Sequence, residues 1–166
     1  MSTSDLDHVG RIMAQWAQER PDLDVSPQGI IGRLHRLADA LDAELRPVFA
    51  EAGLSDGEFD VLAALRRSGA PYELTPGELG SSTMVTSGAV TKRVDRLARA
   101  GLVTRAVSAA DARSREVRLT PAGVELIDRL FTRHMANEHR LVAGLNDLER
   151  SRLAALLEHW GRQLGV

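Results

Sequence analysis

No segment restricts this chain as tightly as Leu74 to Thr120, where two helix starts are followed at once by a switch from helical to alternating periodicity. Thr75-Pro76-Gly77-Glu78 combines a hydroxyl N-cap, a proline at the first helical position and a Glu at N3 that completes a capping box. The helix it opens runs only to about Ser82, because Met84-Val85-Thr86 separates it from a second start capped by Thr86 or Ser87. That second helix continues through Val90, Val94, Leu97 and Ala98 to Gly101, which reads as a left-handed C-cap. Val103 to Val107 and Arg115 to Leu119 then alternate as two short strands around a polar tip, Ser108 to Ser114. A short helix, a turn, a second helix and a hairpin make a winged helix-turn-helix, so the expected class is mainly α with a small β wing.

The residues on the second helix point to a duplex partner. At roughly 100° per residue, the face opposite the apolar stripe carries Gly88, Lys92, Arg96 and Arg99, with Ser87 and Thr91 on its flank. Small polar groups near the helix start, Thr86 among them, and cations along one face suit a helix lying in the major groove of double-stranded DNA. In the wing, Asp111 stands beside Arg113 and can brace its guanidinium for an adjacent minor groove, with Arg115 just beyond. Taken alone, such a hairpin is equally an exposed element kept soluble by its charges. Charge distribution decides between the two. Thr86 to Arg118 holds eight basic and three acidic residues, a balance of +5, while Met1 to Asp60 holds five basic and twelve acidic, a balance of −7. A chain of net charge −2 that is basic in one segment confines its attraction for phosphate to that segment.

Helices frame the DNA-reading segment on both sides. Ser4 is read as the cap of a first helix carrying Val9, Ile12, Met13 and Trp16 and ending near Arg20-Pro21. Ser26-Pro27 opens a second with the stripe Ile30, Leu34, Leu37, Leu41, Leu45 and Val48, and Pro47 is expected to kink it near its end. Ser55-Asp56-Gly57-Glu58 is another capping box, starting a helix through Leu62 and Leu65. Thr120-Pro121 opens a long helix with Val124, Ile127, Leu130, Phe131 and Leu141, and Asn146 begins the last, with Leu153, Leu156, Leu157 and Trp160. The organisation expected is an additional N-terminal helix and linker over 1–25, a dimerisation helix over 26–54, the winged helix-turn-helix over 55–120 and dimerisation helices over 121–166. The terminal helices carry more apolar surface than one small monomer needs to cover, and a two-fold dimer built from them sets two recognition helices about one DNA turn apart.

Other classes of function find little support. There is no cysteine, hence no disulfide framework or thiolate metal site. The histidines His8, His35, His134, His139 and His159 form no convincing site with carboxylates and are read as surface or core residues. Gly77-Glu78-Leu79-Gly80-Ser81 lacks the lysine and preceding strand of a phosphate-binding loop, so neither catalysis nor a cofactor is expected. Without an apolar run of membrane-spanning length, the expected location is cytoplasmic. A winged-helix module that binds protein, or a constitutive DNA binder without a ligand, remains the alternative, since the fold does not oblige DNA binding. Interaction modules tend to lose the cations that this chain keeps at Lys92, Arg96, Arg99 and Arg113.

The order of elements, with Leu-Thr-Pro-Gly-Glu-Leu at Leu74 to Leu79, Ser-Gly-Ala-Val-Thr-Lys-Arg at Ser87 to Arg93, the Ala100-Gly101-Leu102-Val103 turn and the Leu119-Thr120-Pro121-Ala122-Gly123 start, resembles the multiple antibiotic resistance regulator (MarR) family from Ile30 onward. The resemblance implies a homodimer on pseudo-palindromic operators, usually a repressor relieved by a small ligand. The wing departs from the family's usual Asp-Arg-Arg, reading Asp111-Ala112-Arg113. It keeps the braced arginine and loses a neighbouring cation.

The extra N-terminal helix draws the resemblance toward members that respond to urate and related anions. Those carry a Trp on that helix, an Asp on the helix before the DNA-reading unit, an Arg in the recognition helix and an Arg on the first wing strand. Trp16, Asp60, Arg93 and Arg105 stand at these positions. Arg93 lies roughly 65° from the centre of the buried stripe and so points to the helix flank, and Arg105 shares strand parity with Val103 and Val107, which places it on the inward face of the wing. Buried arginines need an anionic partner; Asp60 is the expected one in the empty protein, with an incoming anion such as urate, xanthine or a tricarboxylate competing for both. Each residue also has a plainer reading: Trp16 docking a terminal helix, Arg93 touching phosphate, Asp60 pairing with Arg67 on an exposed helix face.

Overall fold

The computed structural model describes residues 5–83, 90–107 and 115–166, in seven helices and three strands. They are α1 (His8–Glu19), α2 (Gln28–Ala50), α3 (Asp56–Arg67), β1 (Glu73–Leu74), α4 (Pro76–Ser82), α5 (Val90–Arg99), β2 (Val103–Val107), β3 (Arg115–Leu119), α6 (Pro121–Leu141) and α7 (Asp147–Leu164). The chain divides into two compact units, 1–44 and 45–166.

In the first unit α1 starts one turn later than a cap at Ser4 requires. Asp7 is the N-cap, accepting the Gly10 N–H at 2.7 Å. Its carboxylate also takes both forks of Arg33, at 2.9 Å each. The Arg33 hydrogen bond first, and the Gly10 N–H second, hold the Asp7 carboxyl below its ordinary range. This is why Asp7, charged and reaching α2, wins the cap. Val9 is buried, its methyls lying over Gly32. The α2 stripe within this unit finds no such cover: Ile30, Leu37 and Leu41 are exposed.

The second unit is built around α3, where every residue from Gly57 to Leu65 is buried. Ser55 and Glu58 start it as expected, Glu58 Oε2 accepting from Ser55 N and Oγ at 2.8 Å each. Leu62 and Leu65 meet Leu79 of α4, Leu97 and Val94 of α5, Val103 and Val117 of the wing, and Ile127 and Leu130 of α6 in one core. Burying such side chains contributes about 2 kcal/mol each. Beside it Phe49 and Phe59 stack at 4.8 Å, with the His134 ring 5.0 Å from Phe59. His134 Nε2 lies 2.9 Å from Oε1 of Glu138, an i, i+4 contact with a carboxylate.

The described helix ends and strands of this segment fall at the expected bounds, while the start of the second helix and the wing tip lie outside the described residues. Thr75 caps α4, with Glu78 Oε2 accepting from Thr75 N and Oγ1 at 2.8 Å each; the backbone N–H first, then the hydroxyl, lower the Glu78 pKa. Gly101 has φ of 72° after α5, the left-handed value that its C-cap role requires. β2 and β3 pair antiparallel with Val103 opposite Leu119 and Arg105 opposite Val117. Unforeseen is β1, two residues that complete a β1-β3-β2 sheet by pairing Glu73 with Arg118 and Leu74 with Val117. A two-residue strand offers too short an alternation to read in sequence, and Arg118 and Glu73 reinforce the pairing as an ion pair. Thr120 caps α6 and Asn146 caps α7 in a third capping box. No residue of α7 is buried, and Leu148, Leu153, Leu156, Leu157 and Leu164 are exposed along it.

Candidate nucleic-acid interface

The described part of α5 is held by Val90, Val94 and Leu97, buried against the core. That packing turns Thr91, Lys92, Arg96 and Arg99 to solvent, all four of them expected DNA contacts. Arg99 Nε bonds back to the Asp95 carbonyl at 3.3 Å, which steadies it along the helix. Thr86, Ser87, Gly88, Asp111 and Arg113 lie outside the described residues. Arg115 is the first residue of β3, its backbone opposite Val107.

Arg96 differs from its neighbours. Although its side chain is 60% exposed, Nε sits 2.9 Å from Oε1 of Glu58, a carboxylate that is itself almost fully buried. Sequence reasoning assigned Glu58 only to the capping box. Its second role depends on α3 packing against the recognition helix, which no linear pattern signals.

The four residues expected to gather round an anion have separate surroundings. Trp16 belongs to the first unit, on α1, where it is 45% exposed. Asp60 is buried, 3.9 Å from Arg67, so the pair with Arg67 forms from an interior carboxylate and not on an exposed face. Arg105 shares its face with the buried Val103, as parity requires, yet stays exposed, because it reaches across to Asp95 of α5 at 2.7 Å. Asp95, and not Asp60, is thus the carboxylate that holds Arg105; it stands on the nearer element and costs no burial of charge.

Arg93 is the exception that turns inward. It is half-buried against the first turn of α3, so close to Gly57 that a Cβ there would overlap its Nε and Cζ. Its Nη1 is buried and has no hydrogen-bond partner among the described residues. A guanidinium nitrogen in that condition carries a desolvation cost that an anion would relieve.

A three-helix core with a three-stranded wing, presenting a cationic helix on one side, defines a winged helix-turn-helix DNA reader. Residues 52–114 match the MarR family model. The chain is 41% identical over 149 residues, 90% of each protein, to the HTH-type transcriptional regulator PecS of Dickeya dadantii, and 24% identical over 154 residues to the HTH-type transcriptional repressor YetL of Bacillus subtilis. Among solved structures it resembles a mutant MarR of E. coli in complex with operator DNA, at 27% identity and a TM-score of 0.69 over 82% of this chain and 98% of that one. BpsR of Bordetella bronchiseptica, whose DNA binding is regulated by 6-hydroxynicotinic acid, aligns at 26% identity and a TM-score of 0.69 over 79% and 92%. The chain belongs to the MarR family of DNA-binding transcriptional regulators, which are not enzymes. Among the described residues no helix is long and apolar enough to cross a membrane, and no group of three His, Asp or Glu is placed to hold a metal ion.

Proposed function

We propose that this regulator binds a pseudo-palindromic operator as a homodimer, represses from it, and is released by a small, flat or multiply charged anion. The observation that carries the ligand reading is the buried, unpartnered Nη1 of Arg93, a residue of the recognition helix itself. An anion pairing with that nitrogen gains most where α5 has moved to admit it, and a ligand shifts an equilibrium only by such a difference in affinity. Arg105 and Asp60 are the further residues of the site. Arg105 must exchange Asp95 for the anion, which frees a carboxylate on the recognition helix and so opposes phosphate. The flat, anionic effector of BpsR is of the same chemical kind as urate and xanthine, and tricarboxylates come next. The exposed apolar faces of α2 and α7 support the homodimer, and the cationic face of α5 with the Arg113 wing tip supplies the DNA contacts.

Gel shifts with the promoter nearest the gene test this reading. Two protomers per operator are expected, with affinity falling steeply as salt rises because each phosphate contact releases counterion. Lys92→Ala should weaken operator binding by about 1–3 kcal/mol if it reads a base. Urate, xanthine, aconitate, citrate and 6-hydroxynicotinate are then added to the preformed complex; release by none of them removes the ligand reading, and binding without salt dependence or operator preference removes the DNA reading.

A further inference from the structure

We infer that Glu58 is a positioning residue for DNA reading, acting through Arg96. The inference rests on DNA binding by α5 and is independent of the anion site.

Glu58 is 2% exposed, and a carboxylate so deep must be matched on both oxygens. Oε2 takes the Ser55 N–H and hydroxyl, closing the cap of α3. Oε1 takes Nε of Arg96 at 2.9 Å, from a different helix. One side chain therefore joins the first turn of the central helix to the exposed side of the recognition helix. The capping bonds fix Glu58 in place, and α3, buried from Gly57 to Leu65, fixes the cap. Arg96 inherits that rigidity at Nε, while its two Nη groups remain for an acceptor outside, in keeping with a side chain that is 60% exposed. A guanidinium held at one edge by a carboxylate presents the other edge in a set plane, so less rotamer freedom is lost when phosphate or a base edge binds. A lysine there has a single ammonium group and cannot serve both partners in this way. The arrangement also ties α5 to the core at a polar contact, beside the apolar Val90, Val94 and Leu97.

Two roles of Glu58 must be separated, capping and bracing. Glu58→Gln keeps an acceptor for Ser55 and removes the charge facing Arg96. Ser55→Ala removes a capping hydroxyl and leaves the charge. Affinity for operator and for random duplex is measured across a salt series, with thermal melts alongside. Glu58→Gln is expected to lower operator affinity about tenfold and to shrink the preference over random duplex, and this effect should vanish in an Arg96→Met background. Ser55→Ala, which leaves the Ser55 N–H on Oε2 at 2.8 Å, should lower Tm and reduce affinity and preference by much less than Glu58→Gln does. Arg96→Lys, which keeps the charge and does not touch the cap, should lose preference for operator while retaining most of the salt slope. The inference is overturned if Glu58→Gln binds like wild type, if its effect adds in full to that of Arg96→Met, if Ser55→Ala reproduces it, or if Arg96→Lys keeps the full operator preference. Anion release in these variants is a separate readout, so failure here leaves the Arg93 site standing.

Discussion

Gly123→Ala is expected to lower the thermal midpoint by roughly 10 °C, the consequence of about 3 kcal/mol of overpacking in a chain of this length. Gly123 is buried at the third position of α6, and a Cβ there would overlap the backbone carbonyl of Leu102. That carbonyl cannot retreat. It accepts the Thr120 N–H at 3.0 Å and the Thr120 hydroxyl at 3.2 Å, and the same hydroxyl is 2.8 Å from the Gly101 carbonyl. The turn after the recognition helix and the start of α6 are thus locked to each other at a contact with room for glycine alone. Gly77, near the start of α4, has nothing within 4 Å of its would-be Cβ. Gly77→Ala should leave the midpoint unchanged or raise it slightly, since alanine loses less backbone freedom in a helix. Circular dichroism melts of the two variants check the contrast, and a Gly123→Ala protein melting within two degrees of wild type, roughly the resolution of one kcal/mol at this size, contradicts the packing described.

The second large effect is on the switch. Gly57→Ala is expected to abolish the response to the effector without harming the fold. The added methyl group collides with the Nε and Cζ of Arg93, the far end of a flexible side chain, which can swing away at little cost. The backbone of α3 need not move, and its helical propensity improves by about 0.5–1 kcal/mol. Stability should therefore rise or hold while the inward guanidinium is evicted from its seat on α3. Operator affinity without ligand should stay near that of wild type, because Val90, Val94 and Leu97 still hold α5. Titration of the protein–operator complex with urate separates the outcomes: a midpoint for release shifted at least about tenfold, equal to about 1.4 kcal/mol of lost coupling, against an unchanged midpoint that would detach Arg93 from the switch.

Much of this molecule is legible without coordinates because its helix starts are chemically explicit. Thr75, Ser55, Thr120 and Asn146 all cap the helices assigned to them, and the change of period after Gly101 places β2 and β3 at their observed bounds. Asp7 and not the expected Ser4, which lies outside the described residues, is the cap seen at α1, because the choice among nearby polar residues at a helix start depends on a tertiary partner. Arg33 selects Asp7, and its position 26 residues away gives no local sign of that. The site is less legible than the fold for the same reason. Helical and strand periodicity say which way Arg93 and Arg105 leave their elements; Arg93 turns inward as expected, whereas Arg105, on the face of the buried Val103, stays exposed. What meets them there depends on neighbours brought in by folding: a bare glycine for Arg93, Asp95 for Arg105 and Glu58 for Arg96. Gly57 and Glu58 were visible only as parts of a capping box, and nothing in a linear pattern shows that the opposite side of that turn receives the recognition helix.

The central claim, that an anion bound at Arg93 controls DNA reading, is tested most directly by fluorescence anisotropy of labelled operator held by wild-type and by Arg93→Ala protein, at one fixed salt concentration, during titration with urate. Saturable release from the wild type, with the Arg93→Ala complex formed at comparable affinity and persisting through the same titration, is the expected result. Release from both proteins at the same urate concentration, or from neither, would contradict it.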